Sequence, residues 1–264
     1  MIHRAFTSVV ILAVVLGLAC VDMSAPKGPA SISNLKLPSP SVVVGDVMRD
    51  STGAPAPLTI VAFNSAGVPT TAANAEFFIT DSTKAAHLNG GTLLAGDKIG
   101  ATIIIGQLGN LQTSSVTIPV TYLPFKMVHA GTDSALTAAA TSDTSVNTFA
   151  NLMLTVTSAE DSGSAGIVVQ YALLHAPPSV TNAAHPAVFI ADNSGHIATT
   201  DTTQATGTST RRLMVFPALL AEEAALLGGT TTDSAIVEAR ASYKGALLNG
   251  APVRFVIPIR VALK

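Results

Sequence analysis

The residues whose side chains most often bind metals are dispersed in this sequence. The six histidines contain no pair at the i, i+2 or i, i+4 spacing of strand and helix metal sites: His3, His87, His129, His175, His185 and His196. We expect them to be turn and surface histidines. The alternative is a metal site built from His175, His185 and His196, which lie in one stretch of chain with Asp192 and Asp201.

Two acidic segments have the residue types of calcium-binding loops. Asp192-Asn193-Ser194-Gly195 lacks the alternating oxygen donors and the terminal glutamate of such a loop, which predicts a plain turn. Asp and Asn favour turns because their side chains bond their own backbone. Glu160-Asp161 beside Gly163 also predicts a turn, and calcium binding between modules is the alternative.

Nucleophilic and phosphate chemistry find no support in the sequence. Ser162-Gly163-Ser164 lacks the strand–helix setting of a nucleophile elbow, and Gly228-Gly229 follows a predicted helix instead of opening one. Arg211 and Arg212 are neighbours on a predicted strand, so they face opposite sides and form no joint phosphate clamp. We therefore predict no catalytic residues, no cofactor and no metal.

The composition excludes a further class of partner. The 264 residues carry a net charge of −2, only 11% of them are charged, and they include no basic cluster. A nucleic-acid-binding protein needs a concentrated positive surface, so we expect no nucleic-acid partner. The one cysteine forbids an intramolecular disulfide.

The N-terminus has the pattern of an export signal: a basic start at Arg4, the apolar run 9–19, and then Cys20. Leu16-Gly17-Leu18-Ala19-Cys20 resembles the lipobox of bacterial lipoproteins. That resemblance implies a signal peptide over 1–19, with a helical apolar segment, and a mature chain anchored in a membrane by acyl chains on Cys20. An ordinary buried thiol is the alternative. By the sorting rule of Gram-negative lipoproteins, the resemblance further implies that Val21, in place of Asp after Cys20, directs export beyond the inner membrane. The expected location is the outer membrane or cell surface, with the periplasmic face as the other placement.

The mature chain divides into three predicted parts. Residues 20–34 are small, polar and rich in Pro and Gly, which predicts a flexible, lipidated tether. Residues 35–123 show short apolar runs between turn residues, which favours a β-sandwich. In that part Pro119 interrupts an alternating strand, and we expect that strand at a sheet edge or bulged, because proline has no N–H to donate.

The first module is similar to the bacterial Ig-like repeats of invasin- and intimin-type adhesins. The similarity rests on turn and strand segments that follow one another in the order of such a repeat: 44–46, 58–63, 64–69, 77–82, 85–88, 100–105 and 115–120. Residues 49–57 form an insertion that lengthens one loop. The resemblance implies an Ig-like fold and an exported protein.

Residues 124–264 predict a second, longer and diverged Ig-like sandwich. Its closing strands 235–239 and 255–259 repeat the pattern of 101–105 and 116–120. Residues 217–228 begin with Pro and end with Gly around strong helix formers, which predicts one short helix. Tyr243 fits the structural role of a tyrosine corner.

These patterns predict an all-β chain of two tandem Ig-like sandwiches. The function expected from them is a non-enzymatic, membrane-anchored exported lipoprotein, acting as an adhesion or binding module or as a structural spacer. Its protein or glycan ligand is not indicated. The alternative is an accessory domain protein, or an enzyme, acting on extracellular polysaccharide; no pair of acids is marked out for that chemistry.

Overall fold

The computed structural model describes residues 29–70, 72, 74–80, 86–133, 135–139, 145, 147–178, 186–220 and 231–262. Cys20, the predicted signal peptide and most of the predicted tether lie outside this part. The described residues are nearly all in strands and turns, which confirms the all-β fold class. None of the described helical residues forms a segment long and apolar enough to cross a membrane.

The strands are numbered in chain order. The first ten are β1 Ser31–Lys36, β2 Val42–Val43, β3 Thr59–Phe63, β4 Pro69–Thr70, β5 Glu76–Ile79, β6 Ala86–Asn89, β7 Thr92–Ala95, β8 Gly100–Leu108, β9 Leu111–Gln112 and β10 Val116–Thr121. The others are β11 Lys126–His129, β12 Leu136–Ala139, β13 Thr148–Thr157, β14 Val168–His175, β15 Val188–Ala191, β16 Thr200–Thr202, β17 Thr208–Val215, β18 Thr231–Tyr243, β19 Ala246–Leu247 and β20 Val253–Ala262.

The described residues form two compact units. The first contains those of 29–36, 59–78 and 105–116, and the second contains those of 37–58, 79–104 and 117–262. The first unit holds an antiparallel sheet of order β1-β3-β4 and a small core around Ile60, Ala62 and Leu108. β1 includes residues 31–34 of the predicted tether, because Ser31 and Ile32 pair with Phe63 and Ala62 of β3.

The second unit contains a β-sandwich built from residues 126–262. One sheet has the order β11-β13-β17-β15, and the other has the order β12-β20-β18-β14-β16, with β19 beside β18. β13 alternates buried and exposed residues over ten positions, and its buried members Leu152 and Leu154 pack with Val237 and Phe255 of the facing sheet. This period-2 pattern places one face of β13 in the core and the other face outward.

A further sheet has the order β2-β10-β8-β5, with β9 on β8. β10 carries Pro119 and lies between β2 and β8, so it is not an edge strand over its whole length. β2 pairs with β10 only at Val120 and Thr121. The ladder with β2 thus begins one residue after Pro119, and the missing N–H interrupts no rung there.

The predicted helix begins where the sequence indicated. Pro217 is the first helical residue and Leu220 the last described one, and the remainder of the segment lies outside the described residues. Leu219 and Leu220 are buried in the sandwich core. Proline suits this position because the first turn of a helix needs no N–H donor.

Candidate functional site

A cluster of four ionisable side chains joins distant parts of the second unit. Asp46 follows β2 in a tight turn, in which its N–H donates to Val43 O at 3.0 Å. Arg49 lies three residues later. Tyr243 is the last residue of β18, and Lys244 begins the turn into β19 with a positive φ of 53°.

Asp46 is the centre of this cluster. Arg49 donates from Nε to Oδ2 at 2.8 Å and from Nη2 to Oδ1 at 2.9 Å, which is the paired geometry that best fits a carboxylate. The Val47 N–H donates to Oδ1 at 2.9 Å, and Lys244 Nζ lies 3.1 Å from Oδ2. The Tyr243 hydroxyl also donates to Oδ2.

These contacts decide the protonation state of the carboxylate. Burial alone would raise the pKa of Asp46, but the hydrogen bonds from Arg49, Tyr243, the Val47 N–H and Lys244 outweigh it and hold that pKa well below its usual range. Burial and the bond to the ionised Asp46 raise the pKa of the Tyr243 phenol. Asp46 is therefore a permanent anion and Tyr243 a permanent donor at neutral pH.

Two hydrogen bonds and two close approaches at glycines fix the segments around the cluster. Ser41 Oγ donates to Ala165 O at 3.0 Å, and the Ala165 N–H donates to Thr121 Oγ1 at 2.7 Å. A Cβ on Gly166 would collide with the Ser41 side chain. A Cβ on Gly53 would lie 2.8 Å from the Gly245 nitrogen. Residues 41–53 are thus fitted closely against the ends of β14 and β18.

A cleft of about 320 Å³ lies between these segments. Its lining includes the cations Arg49, Arg240 and Lys244, the carboxylate Asp50 and the amide Gln170. The Asp50 carboxylate makes its hydrogen bonds within its own turn. Its Oδ1 accepts from the Thr52 N–H at 2.9 Å and from the Ala54 N–H at 3.1 Å. We refer to this space as the β14–β18 cleft.

Arg240 connects the cleft to a buried carboxylate on the outer face of the sheet. Glu238 has a side chain only 6% exposed, and its Oε1 accepts from Arg240 Nε at 2.6 Å and lies 2.5 Å from Nη2. Arg254 Nε is 3.6 Å from Oε2 of the same carboxylate. Two guanidinium groups thus share one carboxylate.

Of the residues of the alternative metal site, Asp192 and His196 lie together, with His196 Nδ1 3.5 Å from Asp192 Oδ2, while His175 and Asp201 have other partners. His175 Nε2 is 3.0 Å from Asp233 Oδ2, while Asp201 pairs with Arg211 at 3.1 Å. His129 Nε2 is 3.1 Å from Asp133 Oδ1. His185 lies outside the described residues. No group of three or more metal-ligating side chains occurs in the described part of the chain.

The two acidic segments form the turns that their residue types predict. Asp192 Oδ1 accepts from the N–H groups of Ser194 at 2.8 Å and His196 at 3.0 Å. Glu160 receives the Ser158 hydroxyl at 3.0 Å, whereas Asp161 pairs with Lys126 at 2.5 Å. The two neighbouring carboxylates are therefore directed to different partners.

Arg211 and Arg212 act separately, as predicted. Arg211 pairs with Asp201, while Arg212 donates to Asn193 O at 2.8 Å and lies over the Phe149 ring at 4.3 Å. Tyr243 differs from its predicted role, because its hydroxyl reaches the carboxylate of Asp46 instead of a nearby backbone group. The turn at 44–46 gives no sequence signal for this contact, because Tyr243 lies 197 residues further along the chain.

No family model matches the chain, and none of the curated proteins matches it. Among solved structures it is similar to the adhesin InvE of Yersinia pseudotuberculosis, with 15% identity and a TM-score of 0.32 over 86% of this chain. The chain spans 58% of the length of that InvE structure. It is also similar to the Escherichia coli adhesin FdeC, with 12% identity and a TM-score of 0.30 over 86% of this chain and 62% of the other.

The D0-D1 domain of intimin is a third similar structure, with 13% identity and a TM-score of 0.26 over 86% of this chain and 98% of the other.

Proposed function

We propose that this chain is a non-enzymatic, exported lipoprotein whose Ig-like sandwiches, over 35–123 and 124–264, serve as a binding module or as a spacer. Acyl chains on Cys20 anchor it in the outer membrane or at the cell surface. Residues following Cys20 then lead from the membrane to the folded part.

The observation that carries the proposal is the arrangement around Asp46. A carboxylate with a strongly shifted pKa marks a functional site in many enzymes, where it is aimed at an open reaction site. Asp46 instead accepts from five donor groups of four residues, all supplied by the chain itself. Its lone pairs are used to hold residues 41–53 on the end of β18, which is a structural role.

A second polar network, around the buried Tyr171, is also held together by contacts within the protein. Burial raises the pKa of Tyr171, whose hydroxyl is 2.8 Å from Ser209 Oγ. Ser209 in turn donates to Asp201 Oδ2 at 2.9 Å, and Arg211 pairs with the second oxygen of Asp201. Tyr171, Ser209, Asp201 and Arg211 each have a partner within this network, which supports a structural role for it.

Acyl chains on Cys20 are sufficient to hold the chain at a membrane. Each buried methylene contributes about 0.8 kcal/mol, so two or three acyl chains hold a protein in a membrane without readily dissociating.

Anchoring is tested by expressing the full chain and its Cys20→Ala variant in a Gram-negative host, with Ser24→Ala as the matched control. We expect the wild type and the control to fractionate with membranes and to gain the mass of acyl chains on Cys20. Cys20→Ala, or globomycin treatment, should abolish both processing and retention. Unchanged processing and retention would show that the anchor is wrong, and hydrolysis of a polysaccharide that depends on one carboxylate would show that the non-enzymatic assignment is wrong.

A further inference from the structure

From the geometry of the β14–β18 cleft we infer that it is a binding site for an acidic saccharide, whose carboxylate is held between Arg240 and Lys244. This inference deepens the proposed function, because it names a ligand class for the same binding module. It rests on three properties of the cleft: charge, unused donors and size.

The charged side chains that line the cleft are mostly cations: Arg49, Arg240 and Lys244 stand against one carboxylate, Asp50. Arg49 and Lys244 share Asp46, and Arg240 shares Glu238 with Arg254, which is not a lining residue. Because Asp50 accepts from its own turn, the charged groups that a ligand meets on the walls of the cleft are cationic, which favours an anionic ligand.

Two of these cations retain donors. Arg240 uses Nε and Nη2 for Glu238, and no described residue accepts from its Nη1. Lys244 has three N–H donors and directs one toward Asp46. The Arg240 and Lys244 side chains are 60% and 50% exposed, so both can meet a ligand from solution. Arg49, in contrast, donates from Nε and Nη2 to Asp46 and from Nη1 to Gly53 O, so all three of its nitrogens have a partner.

The rest of the lining suits a hydroxyl-rich ligand. Ser39, Ser51, Ser242 and Gln170 present hydroxyl and amide groups that both donate and accept. The volume of about 320 Å³ lies at the lower end of the range for small-molecule sites, about 300–1,000 Å³, so one or two sugar rings fit. The close approaches at Gly166 and Gly53 fix the walls, which makes the site preformed.

The test is isothermal titration of the full chain in detergent with glucuronate. Glucose is the uncharged counterpart of this probe, and sulfate is the counterpart with charge and no sugar. We expect saturable binding of glucuronate at millimolar or lower concentration, weakening with salt, and at least tenfold weaker binding of glucose and of sulfate. No saturable binding of glucuronate, or equal binding of either counterpart, would overturn the inference.

Substitutions of single residues test whether glucuronate binds in the β14–β18 cleft. Arg240→Gln and Lys244→Gln should each weaken glucuronate binding at least tenfold, whereas Arg260→Gln, an exposed arginine of β20 outside the cleft, should leave it unchanged. Lys244 also touches Asp46, so Arg240→Gln is the decisive variant, with the thermal unfolding midpoint recorded for each protein. Equal affinity of wild type and Arg240→Gln would overturn the inference. Membrane retention of the same proteins is independent of this titration, so failure of the saccharide site is distinguished from failure of the anchored module.

Discussion

The hydroxyl of Tyr243 donates a hydrogen bond to Oδ2 of Asp46, across 197 positions of the sequence. The two residues are far apart in the sequence of the second unit. Asp46 follows the first short strand of this unit, β2, and Tyr243 is the last residue of β18. Because Arg49 and Lys244 bond the same carboxylate, the contact is part of a charged network and not an isolated hydrogen bond. Such networks are costly to break at one member, since the others are left partly buried and unpaired.

Asp46→Asn should destabilise the protein by about 2 kcal/mol, because it removes the counter-charge of Arg49 and Lys244 while keeping the side-chain volume. Urea unfolding at pH 7, followed by circular dichroism, measures this change. Asp97→Asn is the matched control, since Asp97 is an exposed carboxylate in a turn, and its unfolding free energy should equal that of the wild type. Equal stability of Asp46→Asn and wild type would contradict the role given to the network.

The contribution of Asp46 should also depend on pH. Its pKa in the folded protein lies below its value of about 3.9 in the unfolded chain, so the stabilisation is complete above that value and is lost as the pH falls toward the folded pKa. The difference in unfolding free energy between wild type and Asp46→Asn should therefore be constant from pH 7 to 5 and shrink below pH 4. A difference that grows on acidification would contradict this sign.

Gly166→Ala should lower stability by more than 2 kcal/mol. The residue has a φ of 73°, and a Cβ there would collide with the Ser41 side chain. Gly45→Ala is the control for the backbone alone, because Gly45 has a φ of 69° with open space at its Cβ, and it should cost about 1 kcal/mol. Ser41→Gly should recover part of the loss in Gly166→Ala. Equal losses of unfolding free energy in Gly166→Ala and Gly45→Ala would show that the contact between Gly166 and Ser41 does not add to the cost of the substitution.

Tyr171→Phe should cost about 1 kcal/mol, because the phenol is buried and bonded to Ser209. The comparison is Tyr122→Phe, since Tyr122 is 38% exposed and its unfolding free energy should change little. Chemical denaturation of both variants gives the two values. A larger effect at Tyr122 than at Tyr171 would contradict the account of the buried network.

The strands of residues 126–262 could be predicted because their sequence signal is local. The apolar runs 235–239 and 255–259 are visible along the chain, and both lie within strands of the structure, β18 and β20. β12, at Leu136–Ala139, was missed because it lies in a Thr/Ser/Ala-rich stretch with little apolar contrast. It forms through parallel pairing with β20, a contact more than 100 residues away.

The Asp46 cluster could not be predicted for a related reason. Asp46 and Arg49 at a spacing of three suggest at most a local ion pair, and nothing in the sequence near Tyr243 points to a carboxylate. Their meeting depends on how residues 41–53 pack against the ends of β14 and β18. Turn chemistry, in contrast, is set within a few residues, so the Asp192 turn was predicted correctly.

The most direct test of the central claim, that the perturbed carboxylate Asp46 is a structural tie, is a double-mutant cycle with Tyr243. The unfolding free energies of wild type, Asp46→Asn, Tyr243→Phe and the double variant are measured in urea at pH 7. We predict a coupling energy of about 1–2 kcal/mol between the two positions, because each loses the other as a partner. Additive effects, with no coupling, would contradict the account.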